Sequence, residues 1–80
     1  MNRNMERSKT FKRLVKEMVS RPDRTVCSEE LVISMRDRGY LDRMVEEGYC
    51  WAEEDIDGVR MWVLRPYMAM YFEENPQRLQ

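Results

Sequence analysis

The sequence contains no histidine. That removes the side chain whose ordinary pKa lies nearest neutrality, and with it Ser–His and Cys–His nucleophile pairs and most zinc sites. The two cysteines, Cys27 and Cys50, stand in apolar surroundings, Val26-Cys27 and Tyr49-Cys50-Trp51. A reduced thiol in such a place behaves as a small hydrophobe, and two cysteines are too few for a disulfide scaffold. Gly39, Gly48 and Gly58 are scattered at turns and form no phosphate-cradling loop. Glu53, Asp55, Asp57 and Gly58 match early positions of an EF-hand calcium loop, but Leu64 stands where the bidentate glutamate is required. Adjacent carboxylates such as Glu46-Glu47 and Glu53-Glu54 are solvated, whereas acid–base work needs a pair held in different environments. The expectation is a non-enzymatic binding protein with no cofactor, no metal and no small-molecule substrate.

The residues left to carry function are cations and aromatics. Lys9, Lys12, Arg13 and Lys16 repeat at helical spacing, opposite an apolar stripe. Such a stripe is either a solvated helix face or a contact for a polyanion. Arg36, Arg38, Arg43, Arg60 and Arg65 are candidates to extend it if the fold brings them to the same side. Residues 1–24 carry eight basic side chains against three acidic ones, whereas residues 25–80 carry six against twelve, so a net charge of −1 hides a +5 segment followed by a −6 segment. Eight methionines in 80 residues point to an adaptable apolar surface. Trp62, Tyr67, Met68, Met70, Tyr71 and Phe72 are the candidate anchors for a protein interface, since aromatic side chains dominate such contacts; filling a thin core is the competing use of the same residues.

The elements that must position these groups fit one domain over residues 8–72, between a flexible N-terminus at 1–7 and a tail at 73–80. Phe11, Leu14, Val15, Met18 and Val19 mark an amphipathic helix capped by Ser8 and closed before Pro22. A short extended piece, 24–27, precedes a second helix opened by Ser28, with Glu29 and Glu30 in its first turn, Leu31, Val32 and Met35 inward, and Gly39 at its end. A third helix over 40–47 turns Tyr40, Leu41, Met44 and Val45 inward and ends at Gly48. The alternative is one helix running through Gly39, because an interior glycine costs only about 1 kcal/mol. From Tyr49 the period changes to two. Asp57-Gly58 reads as a two-residue type I′ turn that pairs Ile56 with Val59, Asp55 with Arg60 and Trp51 with Leu64. Pro66 stops the second strand, and residues 67–72 form a last helical turn or two.

The order helix, short strand, helix, helix, hairpin resembles the winged-helix members of the helix-turn-helix superfamily. The resemblance rests on Ser28-Glu29-Glu30-Leu31-Val32, on Met44-Val45-Glu46-Glu47-Gly48-Tyr49 and on Asp57-Gly58-Val59-Arg60-Met61-Trp62-Val63-Leu64, and it covers about residues 8–66. It implies an α+β domain of three helices and a β-hairpin, with the third helix in the DNA major groove and the wing on the backbone. The stretch from Ser28 to Gly48 is shorter than two helices and a turn usually need. Asp42, Glu46 and Glu47 on the third helix would also repel phosphates. Two partners are therefore expected from sequence. One is double-stranded DNA, bound by a transcription regulator. The other is a host protein, bound in the manner of phage or plasmid accessory proteins. A homodimer is possible in either case. No apolar run approaches a membrane span and the N-terminus lacks the apolar core of a signal peptide, so the expected location is the cytoplasm.

Overall fold

The computed structural model describes residues 3–30 and 33–80 of the 80-residue chain. The elements follow as α1 (Arg3–Arg7), α2 (Lys9–Val19), β1 (Thr25–Cys27), α3 (Met35–Glu46), β2 (Cys50–Glu54), β3 (Arg60–Leu64) and α4 (Pro66–Glu74), closed by a 3-10 turn at Pro76–Leu79. The three strands form one antiparallel sheet in the order β1-β3-β2. No described helix is long and apolar enough to cross a membrane.

The α2 helix starts where its chemistry says it should. The Ser8 hydroxyl accepts from the Phe11 amide at 3.4 Å, and Phe11, Leu14, Val15 and Met18 are all buried. Phe11 is the hub of the core: its ring meets Tyr49 edge-on at 5.0 Å and Phe72 at 5.8 Å. Around it pack Val26, Cys50, Trp62 and Leu64 from the sheet, Leu41 and Met44 from α3, and Met68 and Phe72 from α4.

One helix stands where two were expected. Ser28 does not open a helix: its amide donates to the Arg60 carbonyl, its hydroxyl accepts from the Arg60 amide, and it prolongs the β1–β3 pairing. Glu30 lies in a turn, where its carboxylate accepts from the Cys27 amide at 2.6 Å and from Arg21. Leu31 and Val32 lie outside the described residues. The helix begins instead at Ser34, through a capping box in which Ser34 Oγ accepts from the Asp37 amide and Asp37 Oδ2 accepts from the Ser34 amide, each at 3.1 Å. It runs through Gly39 and ends in a Schellman motif, with Tyr49 N–H donating to the Met44 carbonyl and Gly48 N–H, at φ +86°, to that of Val45. With one helix over residues 35–46 in place of two, what the structure shows is a small α+β domain of helices and a three-stranded antiparallel sheet.

The hairpin is present with its register moved by one residue. Glu54 pairs with Arg60, Trp51 with Val63 and Cys50 with Leu64. Asp55 N–H donates to the Val59 carbonyl, and Gly58 alone in the loop takes positive φ, at +78°. This is a three-residue loop with glycine in the left-handed position rather than a type I′ turn, which needs positive φ at Asp57 as well. Because neighbouring side chains alternate faces, the shift decides which residues share a side. Cys50, Trp62 and Leu64 face the core, while Trp51 pairs with Val63 on the outer face.

The first and last described elements both pack on the domain. Met5 of α1 is buried, and Leu79 of the 3-10 turn is buried where the expectation was a loose tail.

Candidate nucleic-acid interface

Lys9, Lys12, Arg13 and Lys16 project from the side of α2 opposite its apolar stripe, as their spacing demands. Packing then adds three cations. The α1 helix folds back over the start of α2 and brings Arg3 and Arg7. The 3-10 turn docks on α2 through Leu79 and brings Arg78, while the Lys12 ammonium donates to the Gln80 carbonyl at 2.8 Å. Two clefts result. One of about 540 Å³ is lined by Arg3, Glu6, Arg7, Lys12, Tyr71 and Arg78. The other, about 610 Å³, runs along α2 between Arg7, Lys9, Lys12, Arg13 and Lys16, with Leu79 at its side. Arg7 and Lys12 line both, so the clefts are two parts of one surface.

The electrostatics of that surface differ from the rest of the molecule. Away from it Arg21 is matched with Glu17 and Glu30, Arg24 with Glu73 and Arg60 with Asp42 and Glu54, while Arg36, Arg38, Arg43 and Arg65 stand apart from one another without an ion pair among the described residues. Among the described residues no Asp or Glu carboxylate lies within ion-pair distance of Arg3, Arg7, Lys9, Lys12, Lys16 or Arg78. The two acids that line the clefts are engaged elsewhere: Glu6 accepts from the Tyr49 hydroxyl at 2.6 Å, and Glu17 accepts from Arg21 at 2.7 Å. Six cations thus share one face without an ion pair among the described residues, beside the carboxylates of Glu6 and Glu17.

The expected site residues divide accordingly. Lys9, Lys12, Arg13 and Lys16 come together, though Arg13 is tied to Asp37 at 2.5 Å. Arg36, Arg38, Arg43 and Arg60 do not line the clefts. Arg36 is exposed on the first turn of α3, Arg38 donates to the Ser28 carbonyl at 2.6 Å, Arg43 lies 5.3 Å over the Tyr40 ring, and Arg60 is ion-paired beside Trp62. Arg3, Arg7 and Arg78 were not anticipated. The i, i+4 spacing of Arg3 and Arg7 was a readable signal; nothing local marks Arg78.

The expected protein interface is divided by burial. Trp62, Met68 and Phe72 are core residues, with the Trp62 indole N–H donating to Asp42 at 3.0 Å. Tyr67 and Met70 are exposed, and Tyr71 is half-buried against Phe72 with Arg78 over its ring. Met70 lines a shallow apolar cleft of about 370 Å³ with Trp51, Val63, Pro66 and Ala69.

Burial pushes the Cys50 thiol up to about 12, far from a thiolate nucleophile at neutral pH. The Asp55 carboxylate accepts from the Asp57 and Val59 amides, each at 2.9 Å, and so holds the hairpin turn. Among the described residues no three Cys, Asp or Glu side chains converge on a metal-sized site. Comparisons with known protein families, curated proteins and solved structures find no match.

Proposed function

We propose that this chain is a small, non-enzymatic, cytoplasmic regulatory protein that binds double-stranded DNA by its phosphate backbone. The observation that carries the reading is the set of six cations without acidic partners around the α1–α2 clefts. Ion-paired arginines gain little from a phosphate, because their charge is already compensated. Unpaired ones release counterions from DNA when they bind, and that release supplies most of the affinity of backbone recognition. Lys9, Lys12 and Lys16 span about 10 Å of helix. At one phosphate of each strand per roughly 3.4 Å of duplex axis, that length laid along the axis covers about three phosphates of a strand. With a single α3 that carries Asp42 and Glu46 on its exposed side, reading of bases by an inserted helix has no support. Binding is therefore expected to depend strongly on salt and weakly on base sequence.

The test is fluorescence anisotropy with a labelled duplex across a salt series. The plot of log K against log salt should be steep, with a slope up to about −5 if all six cations engage. Lys12→Glu combined with Lys16→Glu should abolish binding. Absence of binding at low salt would overturn the reading.

A second reading, capture of a host protein, is favoured by exposed Met70 beside the Trp51–Val63 cleft. A pull-down lost on Met70→Asp, with DNA binding absent, would select it.

A further inference from the structure

The tip of the β2–β3 hairpin is the chemical complement of the α2 cleft. Ile56 is 100% exposed and touches no core residue, and it is surrounded in sequence by Glu53, Glu54, Asp55 and Asp57. An isoleucine at the summit of a turn adds nothing to the hairpin it sits on. The cleft along α2 has the reverse balance of charge: Arg7, Lys9, Lys12, Arg13 and Lys16 line it against the one acid Glu17, with the largely buried Leu79 at its side and the alkyl stems of the lysines as its apolar surface. Within one chain the two do not meet. Glu53 accepts from the Trp51 indole, Glu54 pairs with Arg60, and no acid of the tip is ion-paired with a cation of the cleft.

From this charge and shape complementarity we propose that the hairpin tip of one copy docks in the α2 cleft of a second copy, Ile56 entering between the lysine stems and its acidic neighbours facing Lys9, Lys12 and Lys16. Such a contact is head-to-tail. Each copy keeps one free tip and one free cleft, so association continues into open chains or rings instead of stopping at a symmetric dimer. The contact is small and rim-charged, hence weak and sensitive to salt. It also covers the surface assigned above to phosphates, so duplex DNA and self-association exclude each other.

Light scattering and sedimentation on the DNA-free protein test this without reference to DNA binding. In about 20 mM salt the average mass should climb above 9.8 kDa with concentration, and it should return to the monomer value in about 300 mM salt. A tip variant, Ile56→Ser with Asp57→Lys, and a cleft variant, Lys12→Glu with Lys16→Glu, should each remain monomeric. Circular dichroism should show both folded, since all four side chains lie outside the core. Mixed together, the two variants should form a 1:1 complex of about twice the 9.8 kDa monomer and nothing larger, because one intact tip then meets one intact cleft. A wild-type chain that stays monomeric at low salt overturns the proposal. So does a tip variant that associates as the wild type does, or a mixture that stays monomeric.

Discussion

Arg13 of α2 and Asp37 of α3 are joined by a 2.5 Å ion pair in which the carboxylate is buried and the guanidinium half exposed. The same carboxylate is one half of the capping box that starts α3. A single acid therefore both begins a helix and ties it to its neighbour. Replacing Asp37 by Ala should cost about 2 kcal/mol, the sum of a cap and a charge-assisted hydrogen bond. For a domain of this size that lowers Tm by roughly 8–16 °C. Ser34→Ala, which removes only the cap, should cost about half as much, and thermal melts of both variants give the comparison.

Gly39 provides the opposite sign. It lies inside α3, exposed, and a Cβ added there meets nothing within 4 Å. Gly39→Ala should therefore stabilise the protein by about 1 kcal/mol, raising Tm by roughly 4–8 °C. Were Gly39 a left-handed helix end, the same change would destabilise. Gly58→Ala, at φ +78°, should lower Tm.

Acid should unfold the protein through two carboxylates. Burial alone would raise the pKa of Asp37, but the hydrogen bonds from Arg13 and the Ser34 amide outweigh it and hold the group below its usual value of 3.8. The Arg21 hydrogen bond lowers Glu30 from its usual 4.5. Both groups are more acidic when folded. Their stabilisation is complete above these ordinary values and is lost as pH falls through the lower, folded ones. Tm should stay level from neutrality to about pH 5 and then drop. Asp37→Asn and Glu30→Gln should each start lower and show a shallower fall.

The cysteines should separate by reactivity. Cys50 is buried, Cys27 half-buried. Alkylation of the native protein at neutral pH should label Cys27 and leave Cys50 unmodified until denaturant is added. Because burial raises the Cys50 pKa from 9.0 to about 12, its contribution to stability is intact below pH 9 and fades above it. Cys50→Ala should reduce that alkaline loss.

On DNA, single substitutions should sort by ion pairing. Lys16→Ala, Arg7→Ala or Arg78→Ala should each reduce the magnitude of the salt slope by about 1. Arg60→Ala should leave the slope unchanged, because Arg60 is already paired with Asp42 and Glu54.

Local chemistry made α2, its Ser8 cap, the Gly48 helix end and the existence of the hairpin readable, because each depends on residues a few positions apart. The start of α3 was misplaced because both Ser28 and Ser34 suit a cap; only Ser34 has an acid, Asp37, three residues later to complete the box. Gly39 misled because a cost near 1 kcal/mol is overridden when the continued helix buries Leu41 and Met44. Asp-Gly is compatible with two loop geometries one residue apart, and Trp62 and Leu64 settle between them by facing the core. Trp62, Met68 and Phe72 kept two readings open, surface anchor and core, because composition cannot tell a filled core from an apolar face. Arg78 joined the cationic face through the docking of Leu79, a contact between distant parts of the chain that no local pattern announces.

The strand order carries a consequence for how the molecule assembles. β3 lies in the middle of the sheet, yet β1, one of its two partners, precedes it by more than thirty residues, as in the pairing of Cys27 with Met61. The β2–β3 hairpin can close by itself on a microsecond timescale, whereas β1 must wait for the whole α3 segment to be looped out. On a ribosome, β1 would emerge well before β3 and stay unmatched until then. The domain becomes able to fold cooperatively only after β3 and the helix that follows it have been synthesised.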